Sequence, residues 1–305
     1  MNRFLSALLP IILLTMACTT HTKTIFDQLV KRNVDLQGHR GARGLMPENS
    51  IPGFLHALDL GVTTLEMDVG ITHDKKVIVS HDPFFSPEIC LDPEGKTIAE
   101  ERAYMYNLYL MDYDSIIHYD CGLKIHPRFP DQKKIAAIKP LLSDVFRAVE
   151  GRISECELRP VNYNIEIKSL ADADYIYHPT PAVFSDMVYR EIEGKIDWGR
   201  ITIQSFDFRI LQYFHEKYPE VRLALLIEND IPWQDNLDSL GFIPPIYSPD
   251  FSLLTKEIVE ALHFQDMKVI PWTVNNPAEM KRMMEWGVDG LITDYPDRAI
   301  RQILH

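Results

Sequence analysis

Thr63 to His81 reads TTLEMDVGITHDKKVIVSH. Two β-rich runs, TTLEMDV and KVIVSH, stand so close that only Gly70 to Lys76 parts them. A parallel crossover normally needs about a dozen residues, so the second run reads as the return arm of a hairpin turning at Asp74-Lys75-Lys76. Folding back about Lys75 sets His81 opposite Val69 and close to Asp68. The first run carries charge where a strand buried on both faces should be apolar. Side chains alternate along a strand, so Glu66 and Asp68 share one face while Leu65, Met67 and Val69 share the other.

The same β-rich texture recurs along the chain, in VDLQGH, YNIEIK, ITIQSF, VRLALLI, PIYSP, KVIPWTV and GLITD, with helical patterns between most of the runs. Ser50 to Leu60, Phe206 to Tyr218, Thr255 to Phe264 and Pro277 to Trp286 are the clearest helices, the last with Asn276 as N-cap and Gly287 just past its end. Once the hairpin arm is set aside, eight strands remain. The expected fold is therefore an α/β, (β/α)8 TIM barrel, and the 305 residues fit one barrel of roughly 250 with additions. From Phe84 to about Lys139 periodicity fails among Pro87, Pro93, Pro127 and Pro130, which predicts an irregular inserted lobe over the top of the barrel.

Charged residues make up 25% and hydrophobic ones 46%, as in an ordinary globular chain, and the formal net charge is -13. So acidic a surface repels nucleic acid, and an anionic substrate must be drawn in by local positive charge or a metal. MNRFLSALLPIILLTMAC places Arg3, a short apolar run and Ala17 before Cys18, the pattern of an export signal too short to span a bilayer. It resembles a bacterial lipoprotein signal, with Thr15 where leucine is usual. Residues 1–18 are thus expected to be a signal, 19–30 a tether and 31–305 the barrel, with the protein exported and held by lipid on Cys18 at the periplasmic face or cell surface. Of the other cysteines, Cys90 and Cys121 flank one irregular segment and are expected to pair, leaving Cys156 as a buried thiol. Nothing in the sequence sets the oligomeric state.

NIEIK repeats the pattern of TLEMDV, with Glu166 and Lys168 on one face. Three carboxylates facing a barrel interior are costly unless paired or bound to a cation. A salt-bridge network with Lys168 and nearby arginines is one answer. A divalent cation is the other, and all-oxygen ligands point to Mg²⁺ or Ca²⁺ rather than zinc. LQGHRGARGLMPENS sets His39 and Arg40 among glycines, where the backbone can approach a phosphate. Gly38, Gly41 and Gly44 do not form the spacing of a dinucleotide site, and no GK[ST] loop follows.

Taken together, GHRGA (38–42), PENS (47–50), LEMDV (65–69), SHDP (80–83), NIEIK (164–168), SFD (205–207), WTVN (272–275) and DGLITDYP (289–296) resemble, in order, the glycerophosphodiester phosphodiesterase family, which shares its barrel with phosphatidylinositol-specific phospholipases C. The resemblance implies hydrolysis of glycerophosphodiesters to glycerol 3-phosphate and an alcohol. It makes His39 the base and His81 the acid, Glu66, Asp68 and Glu166 the ligands of one divalent cation, and Arg40 a phosphate ligand, with Lys168, Gln204 and Trp272 lining the substrate site. Arg43 reads as solvated. Two rivals stand beside this reading: a phospholipase acting on membrane lipid, which needs an exposed apolar rim, and a silent surface binder of phosphodiester head groups.

Overall fold

The computed structural model describes residues 8–304, with side chains from Thr20 onward. After the first helix, α1 (Leu8–Lys31), the chain alternates strands and helices: β1 (Asp35–Gly38), α2 (Ile51–Leu60), β2 (Thr64–Ile71) and β3 (Val77–Val79). The inserted lobe follows, with α3 (Tyr113–Ile116) inside it. Then come α4 (Leu142–Glu155), β4 (Asn162–Ile167), α5 (Pro181–Ile192), β5 (Ile201–Ser205), α6 (Phe208–Lys217), β6 (Arg222–Ile227) and α7 (Trp233–Leu240). The circuit ends with β7 (Ile246–Pro249), α8 (Lys256–Phe264), β8 (Lys268–Val269), α9 (Pro277–Glu285), β9 (Gly290–Thr293) and α10 (Pro296–Leu304).

All strands except β3 run parallel, in the order β8-β7-β6-β5-β4-β2-β1-β9. The two ends meet through backbone bonds from Asp289 N to Val269 O (2.9 Å), Ile292 N to Pro271 O (3.0 Å) and Val274 N to Ile292 O (3.0 Å). That is the expected (β/α)8 barrel, with β3 as the surplus strand, antiparallel on β2. Its register pairs Val69 with Val79, so the turn is centred on Asp74 rather than Lys75. Thr72 and Lys76 close it by backbone bonding, and Lys75 sits at φ 64°. Continued past the end of β3, this register sets His81 level with Met67 instead of Val69, two residues along β2 and on the same face.

Local chemistry explains the helix that opens the circuit. Ser50 caps α2 by accepting from Gly53 N at 3.2 Å, and Gly61 ends it in the left-handed region at φ 91°, where a side chain would collide with Thr22 O. Phe54, Ala57 and Leu58 are its buried face. The barrel interior is divided. Ala224, Ile246, Ile270 and Ile292 make one side apolar, while Gln37, Asn164 and Gln204 cross the other through hydrogen bonds of 2.7 and 2.9 Å.

Residues 19–30 are not a tether. They belong to α1, where Ile25 and Leu29 are buried in the core and the Thr22 hydroxyl donates to Asp59 O at 2.6 Å. The period of Thr22, Ile25 and Leu29 is helical, which gives the segment an apolar stripe to bury. Residues 1–7 and the side chain of Cys18 lie outside what is described. Among the described residues no helix is long and apolar enough to cross a membrane.

The lobe has its own small core of Phe85, Cys90, Ile98, Leu108, Tyr113, Ile116, Tyr119 and Cys121, seated on Ile78 of β3. Cys90 and Cys121 are bonded, as expected. Cys156, at the end of α4, is half-buried rather than buried, because the helix stops there and its last turn faces outward.

Candidate active site

At the C-terminal mouth of the barrel a cleft of about 660 Å³ is lined by His39, Arg40, Glu66, His81, Glu166, Lys168, Gln204 and Trp272, which brings together all the predicted site residues except Asp68. Asp68 stands level with Glu166, which lines the cleft, and is itself fully buried. Barrel enzymes keep their sites at this end because the βα loops converge there.

Glu66 and Asp68 project from β2 and Glu166 from β4, in the register that sets Asp68 beside Glu166. One oxygen from each lies within 4.8 Å of the others. Glu66 accepts from Arg40 N at 2.8 Å and from Gln204 Nε2 at 2.9 Å, while Glu166 meets Lys168 Nζ at 2.9 Å. Burial raises the Glu66 carboxyl well above the usual carboxylate range, and Asp68 and Glu166 push it further. Burial likewise raises Glu166, with Asp68 adding to it against Lys168. Asp68 is held low: burial works against ionisation, but Arg40, His81 and Lys168 outweigh it. Its Oδ1 is buried without a hydrogen-bond partner, whereas Oδ2 takes Asn49 Nδ2 at 2.7 Å. Lys168 Nζ is the nearest cation to Oδ1, at 3.8 Å, too far to hydrogen-bond it. Three buried carboxylates converging on one point, one of them with an oxygen that no donor reaches, are the donor set a hard divalent cation requires. Lys168 spends its close contact on Glu166, which leaves that oxygen without a donor, so the residues fit a cation.

His39 follows β1. Its Nδ1 meets Asp294 Oδ1 at 2.7 Å, and Asp294 also takes Arg43 Nε and Nη2 at 2.8 and 2.9 Å and Asn275 Nδ2 at 2.7 Å. Burial opposes ionisation of Asp294, but His39 and Arg43 hold it below the usual carboxylate range. An ionised Asp294 can only accept, so His39 carries its hydrogen on Nδ1. Nε2 is then a free lone pair, 3.9 Å from Glu66 Oε2. Burial, reinforced by Arg43, lowers the imidazole to about 4, which leaves it neutral and basic at neutral pH.

His81 leaves β3 at the near edge of the same cleft. Its Nδ1 meets Asp82 Oδ1 at 2.8 Å, and Asp82 is itself lowered: burial raises it, and His81 more than compensates. Each histidine thus has a carboxylate behind Nδ1. His81 is the more open of the two, with about a third of its side chain exposed against a tenth for His39.

Arg40 stands in the left-handed region at φ 51°, which turns its amide onto Glu66 and its guanidinium over the site. It pairs with Glu48 at 2.9 Å and approaches Asp68 at 3.2 Å. Trp272 donates from Nε1 to Ser248 O at 2.9 Å and meets Phe206 edge-on, so the two rings form one wall. Arg43 is not solvated. It is buried, clamped on Asp294 in a two-pronged pair, with Phe129 of the lobe 5.0 Å away.

Sequence reasoning did not assign roles to Asp294, Asn275, Glu48, Asn49 or Asp82. All five stand inside motifs quoted above, DGLITDYP, WTVN, PENS and SHDP. Asp82 adjoins His81, which was a usable signal; the other four adjoin no histidine or arginine, and only their place inside a motif pointed to them.

The sequence pattern of the glycerophosphoryl diester phosphodiesterase family matches residues 39–298. A glycerophosphodiester phosphodiesterase from Bacillus altitudinis is 30% identical over 267 residues, covering 86% of this chain and 95% of that one. Lysophospholipase D GDPD1 of Mus musculus is 26% identical over 286 residues, covering 85% and 83%. Among solved structures, a Silicibacter pomeroyi protein assigned to the glycerophosphoryl diester phosphodiesterases superposes with a TM-score of 0.78 at 28% identity, covering 89% of this chain and 93% of its own. An Oleispira antarctica phosphodiesterase, solved with its product sn-glycerol-3-phosphate, shares the fold with a TM-score of 0.69 at 17% identity, covering 89% and 97%. On the match across residues 39–298 and the 30% identity over most of its length, the chain belongs to the glycerophosphoryl diester phosphodiesterase family and is a phosphoric diester hydrolase.

Proposed function

We propose that the protein hydrolyses glycerophosphodiesters to glycerol 3-phosphate and an alcohol, with one divalent cation, Mg²⁺ or Ca²⁺, and two-histidine acid/base chemistry. The observation that carries this is the pair of carboxylate-backed histidines on one cleft above three converging carboxylates. A silent binder has no use for that pairing.

Glu66, Asp68 and Glu166 would hold the cation, which when bound supplies positive charge to the non-bridging oxygens of the phosphate. Arg40 and Lys168 would orient the same oxygens from the side. Lys168 is charged throughout the neutral range, since Glu166 and Asp68 outweigh the burial that would lower it. His39 Nε2 takes the proton of the attacking water or of the neighbouring glycerol hydroxyl as that oxygen bonds to phosphorus. His81 gives its proton to the departing alkoxide as the phosphorus–oxygen bond breaks. Phe206 and Trp272 would face the carbon skeleton, and Gln204 keeps Glu66 aimed at the mouth.

One observation favours a second reading, action on a lipid that keeps an acyl chain. Leu170, Tyr175, Ile176, Tyr104 and Met105 are exposed by 53% to 76% along one rim of the mouth. Phe84 gathers them, meeting Tyr104 at 5.0 Å and Tyr177 at 6.4 Å, and Asn107 ties the lobe to Ile176 O at 2.7 Å. The relative from Mus musculus is named a lysophospholipase D. Matched assays of glycerophosphocholine and its 1-acyl counterpart separate the readings. Glycerophosphocholine is expected to turn over with release of glycerol 3-phosphate. Release of acylated product at a higher kcat/KM moves the assignment to lipid, and turnover of neither leaves a binder.

The same proposal places the protein outside the cytoplasm, held by lipid on Cys18. Cys18→Ser is expected to leave the precursor unlipidated, and a cleavable secretory signal in place of residues 1–18 is expected to release active soluble enzyme. Membrane retention of that second form, free of lipid, counts against the anchor.

A further inference from the structure

The lobe ends in a buried cation that the chemistry above leaves unused. Lys139 is only 7% exposed. An ammonium so placed is expensive unless something holds it there. The chain leaving the lobe runs back along β3, with Pro140 O accepting from Val79 N at 2.8 Å and Ala137 O accepting from Cys121 N at 2.7 Å. Between these anchors the Lys139 side chain passes beneath the turn that carries His81. Its Nζ donates to Ser80 Oγ at 2.7 Å, and Ser80 Oγ donates to the main-chain oxygen of Asp82 at 2.6 Å. The Phe85 ring lies 5.7 Å from Nζ. Burial lowers Lys139, while Asp82, Glu48 and Asp68 oppose that loss of charge.

We infer that Lys139 is a positioning residue for His81, through which the inserted lobe fixes the Ser80–Asp82 turn and so the direction of the imidazole. The inference rests on the reading of His81 as a catalytic histidine. Without the Lys139 contact, Ser80 keeps its bond to Asp82 O but loses the group that pins it from below. Asp82 and His81 then move together over a wider range, and proton transfer suffers because it depends on distance and direction.

The test is a double-mutant cycle on kcat with glycerophosphocholine at saturating cation, with thermal unfolding measured for every variant. Lys139→Met is expected to lower kcat by about 10- to 100-fold, part of the 10²–10⁴ a general acid contributes, with KM little changed. In the His81→Ala background the same substitution is expected to cost less than about threefold, because the group it positions is gone. Lys139→Arg, which can still donate to Ser80, is expected to recover most of kcat. Should Lys139→Met unfold, Ser80→Ala breaks the same link and is expected to show the same dependence on His81. Equal losses in both backgrounds, or none in either, overturn the inference. Full activity of His81→Ala overturns the two-histidine reading itself, a result the single variant gives without reference to Lys139.

Discussion

Treated with excess chelator, the protein is expected to lose turnover of glycerophosphodiesters and to regain it on addition of Mg²⁺ or Ca²⁺. The expected loss exceeds the roughly 10²–10³ that removing one preorganised electrostatic donor costs, because three carboxylates without a cation turn from a phosphate trap into a phosphate repellent. Asp68 Oδ1, buried and without a hydrogen-bond donor, is the atom most in need of the ion. Asp68→Asn should therefore abolish activity and metal binding by titration calorimetry together. Stability gives an independent readout, since a ligand at about 100 times its Kd adds roughly 2.7 kcal/mol to the folded state. Glu66→Gln should keep the fold and lose the cation-dependent rise in Tm, as one charge fewer relieves repulsion in a cluster where burial, Asp68 and Glu166 already raise Glu66. Full activity in chelator would sink the metal assignment, and a Glu66→Gln protein that cannot fold would favour a salt-bridge network.

The second large effect divides the histidines. His81→Ala is expected to lose about 10²–10⁴ in rate on glycerophosphocholine, whose alkoxide departs poorly without a proton, and to recover most of that loss on a phenolic ester. His39→Ala should stay slow on both substrates. Asp294→Asn should resemble it, since the amide no longer fixes the Nδ1–H tautomer and leaves Arg43 without its partner. The acid limb of kcat/KM, which reports the base of the free enzyme, is expected near pH 4 rather than near 6.5, where burial and Arg43 hold His39. Rescue of His39→Ala instead by the phenolic ester reverses the roles, and rescue of neither discards the division of labour.

The barrel was legible because its signals are local: alternation in TLEMDV and NIEIK, Asn276 and Pro277 opening α9, and a gap too short for a crossover before β3. The carboxylate triad was legible for the same reason, since period two alone puts Glu66 and Asp68 on one face. What stayed hidden depends on partners distant in sequence. Arg43 looked solvated because its mate, Asp294, is 251 residues away. Lys139 marked only the end of an irregular stretch; the return of the lobe along β3 is what carries it to Ser80. The hairpin missed its register by two residues because a turn's centre is set by backbone closure between Thr72 and Lys76 rather than by composition.

The described part of α1 occupies the foot of the barrel. Thr22 meets the end of α2, Asp27 pairs with Arg159 just before β4, and Arg32, the residue after α1, donates to Ile303 O at the close of α10. All three partners lie at the end opposite the mouth. A lipid on Cys18 would then fix the enzyme by its base, with its opening turned to the surrounding fluid instead of to its own leaflet. Such a posture would supply the cleft by diffusion of dissolved molecules and would keep lipids packed in the supporting bilayer out of its reach.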